Sequence, residues 1–150
     1  MTIHELLQNS AACLKCRYEF ADLEEANYNI FDKLASGDFP VCLVLPFNIQ
    51  DYDRANGRIK SQAEINVYFL DRVPHPIDKP TTEIESLVVA PMRSLTRQFV
   101  NLIDDADMIE EEGIATLTNQ SVHQGIADAH LYGNWGVFTV KFSEDLTTCE

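Results

Sequence analysis

Cys13 and Cys16 form the one C-x-x-C of the sequence, and Cys42 and Cys149 stand apart from it. A zinc site built on that pair needs two further ligands at close spacing. The candidates are His4, His75, His123, His130 and Cys42, and they contain no second tight pair. A redox C-x-x-C sits between a strand and a helix, whereas this one follows a helical pattern. The expectation is that Cys13 and Cys42 fill small apolar places, with Cys16 and Cys149 near the surface. His123 and His130 lie seven apart across an expected turn, either facing each other or serving as ordinary partly buried histidines. The sequence has no G-x-S-x-G, no H-E-x-x-H and no phosphate-binding glycine loop. It therefore yields no catalytic, cofactor-binding or metal residue, and the chain reads as a non-enzyme.

Charge is the stronger signal. Asp104, Asp105, Asp107, Glu110, Glu111 and Glu112 follow one another without a base, and no Lys or Arg occurs between Arg97 and Lys141. The stretch lacks the ligand order and the glycine of a calcium loop. Base concentrates instead in Arg54, Arg58 and Lys60. A molecule with an acidic side and a small basic arm can attract a copy of itself head to tail, and such contacts close into rings when the rotation fits. Ordinary solubilising charge is the plainer account of the same residues.

The 150 residues carry 24 acidic and 11 basic side chains, a net charge of −13. That field repels phosphate backbones and anionic membranes. No apolar run reaches the length of a membrane span, and no signal-peptide core follows Met1. A reduced, cytoplasmic setting is the expectation. Apolar residues make 45% and charged residues 23%, values of a folded single domain.

The elements follow from spacing. Thr2-Ile3-His4-Glu5 has the form of a capping box, and Ile3, Leu6, Leu7, Ala11 and Leu14 predict a helix over about 3 to 14. Asp22 with Glu25 can cap a helix bearing Leu23, Ala26, Ile30 and Leu34, while Tyr18, Phe20, Tyr28 and Phe31 suit short strands. The pattern favours a helix over roughly 23 to 35, stopped at Gly37. Val41 to Leu45 is apolar without alternation, as in a strand covered on both faces. Residues 48 to 61 read as a polar loop or hairpin arm.

Over 62 to 71, Ala63, Ile65, Val67 and Phe69 point one way, with Gln62, Glu64, Asn66 and Tyr68 opposite. Pro74, Pro76 and Pro80 keep the next stretch extended. Thr82 to Glu85 forms a second capping box, and Ile84, Leu87, Val88, Met92, Leu95, Phe99, Leu102 and Ile103 then hold helical spacing. Pro91 inside that run predicts a kink or a division. Strands are expected over Ile114 to Val122 and Trp135 to Phe142, with Ser143 to Glu150 a polar tail. The class is α+β: a mostly antiparallel four-stranded sheet of two hairpins, with the long kinked helix across one face and N-terminal helix or helices. One domain covers 1 to 150, its core about 3 to 142.

In layout the chain resembles the tail-terminator and neck proteins of long-tailed bacteriophages and prophages. The residues that carry the likeness are the N-terminal helix, the strand Phe39-Pro40-Val41-Cys42-Leu43-Val44-Leu45, the strand Gln62 to Asp71 with its polar lead, the helix Glu83 to Ile103, and the final Asn134-Trp135-Gly136-Val137-Phe138-Thr139-Val140. The resemblance implies a virion structural protein, present in the host cytoplasm before assembly. It would form a ring, typically a hexamer, joining tail tube to head, with DNA as repelled, passing cargo. On this reading Asp104, Asp105, Asp107, Glu110, Glu111 and Glu112 line the lumen or a ring face. Arg54, Arg58 and Lys60 meet the neighbouring subunit or the tube. The alternatives are an acidic adaptor, a DNA-mimic inhibitor, and a small thiol or metal-dependent enzyme.

Overall fold

The structure is a computed structural model and describes residues 1–53, 59–73, 79–126 and 130–144. Helix α1 (Ile3–Cys13) leads to strand β1 (Arg17–Phe20). A short helical stretch follows, α2 (Leu23–Glu25) running on through a wide turn at Ala26–Ile30 and a tight one at Phe31–Lys33. Then come β2 (Val41–Val44), β3 (Gln50–Asp53) and β4 (Lys60–Arg72). Helix α3 (Thr81–Ile84) passes through a wide turn, Glu85–Val89, into α4 (Ala90–Asp104), and β5 (Leu117–Ile126) and β6 (Leu131–Phe142) complete the fold.

The sheet runs β1-β2-β4-β6-β5, and β3 shares one edge of β4 with β2. All pairings are antiparallel except β1 with β2, which is parallel. This is an α+β fold with a kinked helix over an open, mixed sheet. The expected two hairpins account for only part of it. The strand pair β2–β4 and the pair β5–β6 are present and join through β4–β6, but β1 and β3 add two strands that spacing did not assign. Four residues are too few for alternation to register, and Tyr18 and Phe20 take the strand alternative noted for them.

The parallel step has a consequence. Two parallel strands need a crossover between them. Residues 21–38 supply it, lying on the sheet face opposite the long helix. The expected continuous helix over 23 to 35 is broken there into three different turn types, although Asp22 caps its start by accepting from the Glu25 amide at 2.7 Å. Its Phe31 and Leu34 pack with Val41, Leu43, Leu70 and Leu131 of the sheet. On the other face α1 and α4 cover Ala63, Ile65, Val67, Phe69, Phe138 and Phe142. β2 is buried at all four positions because it is covered from both sides, as its apolar run predicted.

Local chemistry explains the helices. Thr2 accepts from the Glu5 amide at 3.2 Å, and the Ile3 amide is taken by Glu144 Oε1 at 3.0 Å. The second expected capping box does not form: the helix starts at Thr81, with Pro80 before it, and Thr82 lies inside its first turn. Pro91 falls in the first turn of α4, after the wide turn Glu85–Val89. A proline removes one amide and its ring strikes the carbonyl four residues back. The wide turn is the kink that the proline position called for.

Two glycines of β6 allow close packing. A Cβ on Gly133 would sit 1.9 Å from the Phe69 carbonyl oxygen, and one on Gly136 would sit 2.6 Å from Thr96 Cγ2 of α4. Gly136 is the place where the helix comes down onto the sheet. Among the described residues, no helix is long and apolar enough to cross a membrane.

Candidate functional site

The acidic stretch is a loop laid along the end of the sheet. Asp104 closes α4, and Asp105 to Glu112 leave the helix and pass β6. The Glu110 amide donates to the Lys141 carbonyl at 3.0 Å, and the Ser143 amide to the Met108 carbonyl at 2.8 Å. Asp104 plays a structural part, because its Oδ1 accepts from the Ile114 amide at 2.8 Å and so fixes the turn into β5. Asp105, Asp107, Glu111 and Glu112 are exposed, while Glu110 is half-buried. The loop meets two lysines, with Lys60 Nζ 3.8 Å from Glu110 and Lys141 Nζ 3.6 Å from Glu112. Lys60 thus stands at the start of β4 beside the acids it was expected to attract on a neighbour. Arg54 and Arg58 lie outside the described residues.

The cysteines depart from expectation in one respect. Cys13 is exposed and Cys16 is buried, the reverse of the assignment from spacing, while Cys42 is buried as expected. The buried side of α1 is Ile3, Leu6, Leu7, Ser10 and Ala11, which turns Cys13 outward. The chain then reverses at Lys15, which has a positive φ of 58°, and Cys16 folds under the sheet edge. Burial, with the Asp71 carboxylate adding to it, pushes the Cys16 thiol up to about 11. Burial and then Cys16 raise the Cys42 thiol well above its ordinary value. Neither is a thiolate at neutral pH, so neither is poised as a nucleophile. Cys149 lies outside the described residues. Among the described residues, no group of three or more His, Cys, Asp or Glu is placed to hold a metal ion.

His123 finds a partner that spacing could not reveal. Its Nε2 meets Glu85 Oε2 on the wide turn of the helix, 38 residues away in sequence. The other Glu85 oxygen accepts from Arg93 at 2.8 Å, and Arg93 donates again to Ser121 Oγ at 2.7 Å. The Arg93 hydrogen bond, supported by His123, holds the Glu85 carboxyl below the usual glutamate range against the opposing effect of partial burial. One turn on, fully buried Asn134 gives its amide hydrogens to Thr96 Oγ1 at 3.0 Å and Asn119 Oδ1 at 2.8 Å. These contacts bind α4 to β5 and β6 through polar groups. Eight residues separate Glu85 from Arg93, and the extra residue in the wide turn brings them to one side.

The face of β4, β6 and β5 beyond the crossover segment carries no covering element among the described residues. Register puts Tyr68, Trp135 and Gln120 in one row across it, and Asn66, Val137 and Thr118 in the next. The Trp135 and Tyr68 rings stack at 5.6 Å and 3°. Asn66 Oδ1 accepts from the indole N–H at 3.1 Å and fixes the ring. Leu23, Tyr68, Trp135 and Val122 border a cleft of about 500 Å³ at one end of this face. Glu64, Glu112, Lys141, Thr118 and Thr139 border one of about 400 Å³ at the other. Of the set that alternation turned outward on β4, Glu64 is exposed and Gln62 and Asn66 are half-buried, but Tyr68 is buried with Leu70 in the crossover's cluster. Alternation gave no sign of where this face is covered and where it is bare, because the crossover decides that. No family model matches the chain, and no curated protein matches it in sequence.

Proposed function

We propose that this chain is a non-catalytic assembly subunit that joins copies of itself head to tail, as a ring subunit of the tail-terminator or neck type would. The observation that carries the reading is the open sheet: β1 ends it on one side and β5 on the other, and among the described residues no strand pairs their outer edges. The two ends differ. The β1 end bears exposed Phe20, packed with His4 and Phe47 at 5.0 and 5.9 Å, and Ile49, two residues after Phe47, is exposed as well; β5 carries no Lys, Arg, Asp or Glu. Two unlike ends on one protomer suit a heterologous contact, the kind that closes into rings. The exposed carboxylates of the 105–112 loop would then repeat around one ring face, where like charge keeps nucleic acid from adhering.

The test is native mass and negative-stain imaging of the full chain, alone and with a tail-tube protein. Closed rings of several copies are expected, and Phe20→Ser with Ile49→Ser should return them to single copies. A protein that stays single-copy in both settings would sink the reading.

A further inference from the structure

We propose that the outer edge of β5, with the open face beside it, receives an extended segment of a partner protein. That segment carries one apolar side chain and, four residues on, a lysine or arginine. The ring reading gives this same edge to a neighbouring copy, so copy and segment compete for it, and the site goes beyond that reading by naming a different occupant.

The edge itself is the first observation. Exposed strand edges are normally guarded by charge, by proline or by being very short. β1 follows that rule, with four residues that include Arg17 and Glu19. β5 does not: Leu117-Thr118-Asn119-Gln120-Ser121-Val122-His123-Gln124-Gly125-Ile126 contains no Lys, Arg, Asp, Glu or Pro, in a chain of net charge −13. Its ladder to β6 is regular from Leu117 to Val122. Such an edge offers unpaired amides and carbonyls to an added strand, and pockets for alternate side chains give that strand its identity.

The two clefts supply the pockets. Both open on the same face, one bordered by Gln120 and Val122 of β5, the other by Thr118 and the preceding Thr116. Four residues separate corresponding positions, about 13 Å along a strand. The first cleft is floored by the stacked Trp135 and Tyr68 and walled by Leu23, which suits an apolar side chain. The second is bordered by Glu112, which pairs with Lys141 of the same cleft at 3.6 Å, and by exposed Glu64, which makes no ion pair with a described residue and leaves the cleft one carboxylate in excess. That favours a cation. An antiparallel segment is the better ladder, and it runs from the apolar cleft to the acidic one, which sets the order of the two side chains.

The probe is a strand-forming threonine–valine peptide with one leucine and, four residues on, one lysine, titrated against the full chain by fluorescence anisotropy. Saturable binding is expected. Replacing the peptide leucine by alanine should weaken it about tenfold, and Glu64→Gln in the protein about fivefold. N-methylation of alternate peptide amides should abolish it, since the ladder then has no donors. Circular dichroism of Glu64→Gln checks that this exposed substitution leaves the fold alone. Absence of binding, equal binding of the N-methylated peptide, or equal binding when the peptide lysine is changed to glutamate would each overturn the proposal. So would a dimer through β5 that the peptide does not displace. Rings with no peptide binding would leave the assembly reading standing and remove this one.

Discussion

Lys60 and Glu110 lie 3.8 Å apart within one molecule, one at the start of β4 and the other in the acidic loop beside β6. The two kinds of charge that could draw neighbouring copies together therefore already meet inside each protomer. Both side chains keep substantial exposure, 40% and 21%, so water screens the pair. Its contribution to stability is about 0.5 kcal/mol or less.

That weakness makes the pair a clean probe of assembly. Lys60→Glu should change the midpoint of urea unfolding very little. If Lys60 also serves a contact between copies, the same substitution lowers the native mass far more than it lowers stability. Adding Glu110→Lys restores the internal pair without restoring the intermolecular one. Native mass of the single and double variants separates the two roles.

Glu85 should make stability depend on pH in a defined direction. Its folded-state carboxyl lies below the ordinary range because Arg93 and then His123 bond its charged form. A depressed carboxylate contributes stability that is fully present above its unfolded value and is lost as pH falls through the folded one. Glu85→Gln should thus cost about 1 kcal/mol at pH 7, a figure already reduced for partial exposure. The gap between wild type and variant should begin to narrow near the ordinary glutamate range, about pH 4.3, and keep closing as pH falls further. Urea unfolding at neutral and acid pH measures both.

Gly136 should resist even one methyl. Gly136→Ala places a Cβ 2.6 Å from Thr96 Cγ2, and the helix must lift from the sheet. The cost should be about 1 to 3 kcal/mol. Thr96→Ser removes that methyl and keeps the hydroxyl that accepts from Asn134, so it should recover part of the loss in the double variant. Thermal unfolding of the two single variants and the double gives the coupling.

The thiols should react in order of burial. In a Cys149→Ser background, Cys13 should react with a maleimide in the native protein, while Cys16 and Cys42 wait for denaturant. Mass spectrometry of the labelled protein reads the count. Fast native labelling of Cys16 would contradict its burial and its raised thiol.

Several features were legible from residue order alone. Period-two alternation set the buried side of β4, though Tyr68 of its outward set is also covered, and helical spacing found α1 and the long helix with its break at Pro91. Each of these rests on neighbours within a few residues, whose side-chain directions are fixed by local geometry. The same locality explains the misses. Cys13 and Cys16 exchanged places because a left-handed residue at Lys15, invisible to periodicity, reverses the chain between them. β1 was masked by its shortness and by its parallel partner lying 24 residues on, Arg17 against Val41.

The sequence by itself determined the charge, the apolar faces and the order of the main elements, since those are properties of composition and near neighbours. Only the tertiary structure decided that Glu85 meets Arg93 and His123, that Glu110 meets Lys60, and that Trp135 stacks on Tyr68 at the margin of the crossover, beside a strand edge without charge. Those relations follow from strand order and from the crossover that covers one part of the sheet and leaves another bare. Residues far apart in the chain become neighbours only when the sheet is assembled, and no local pattern records which of them will.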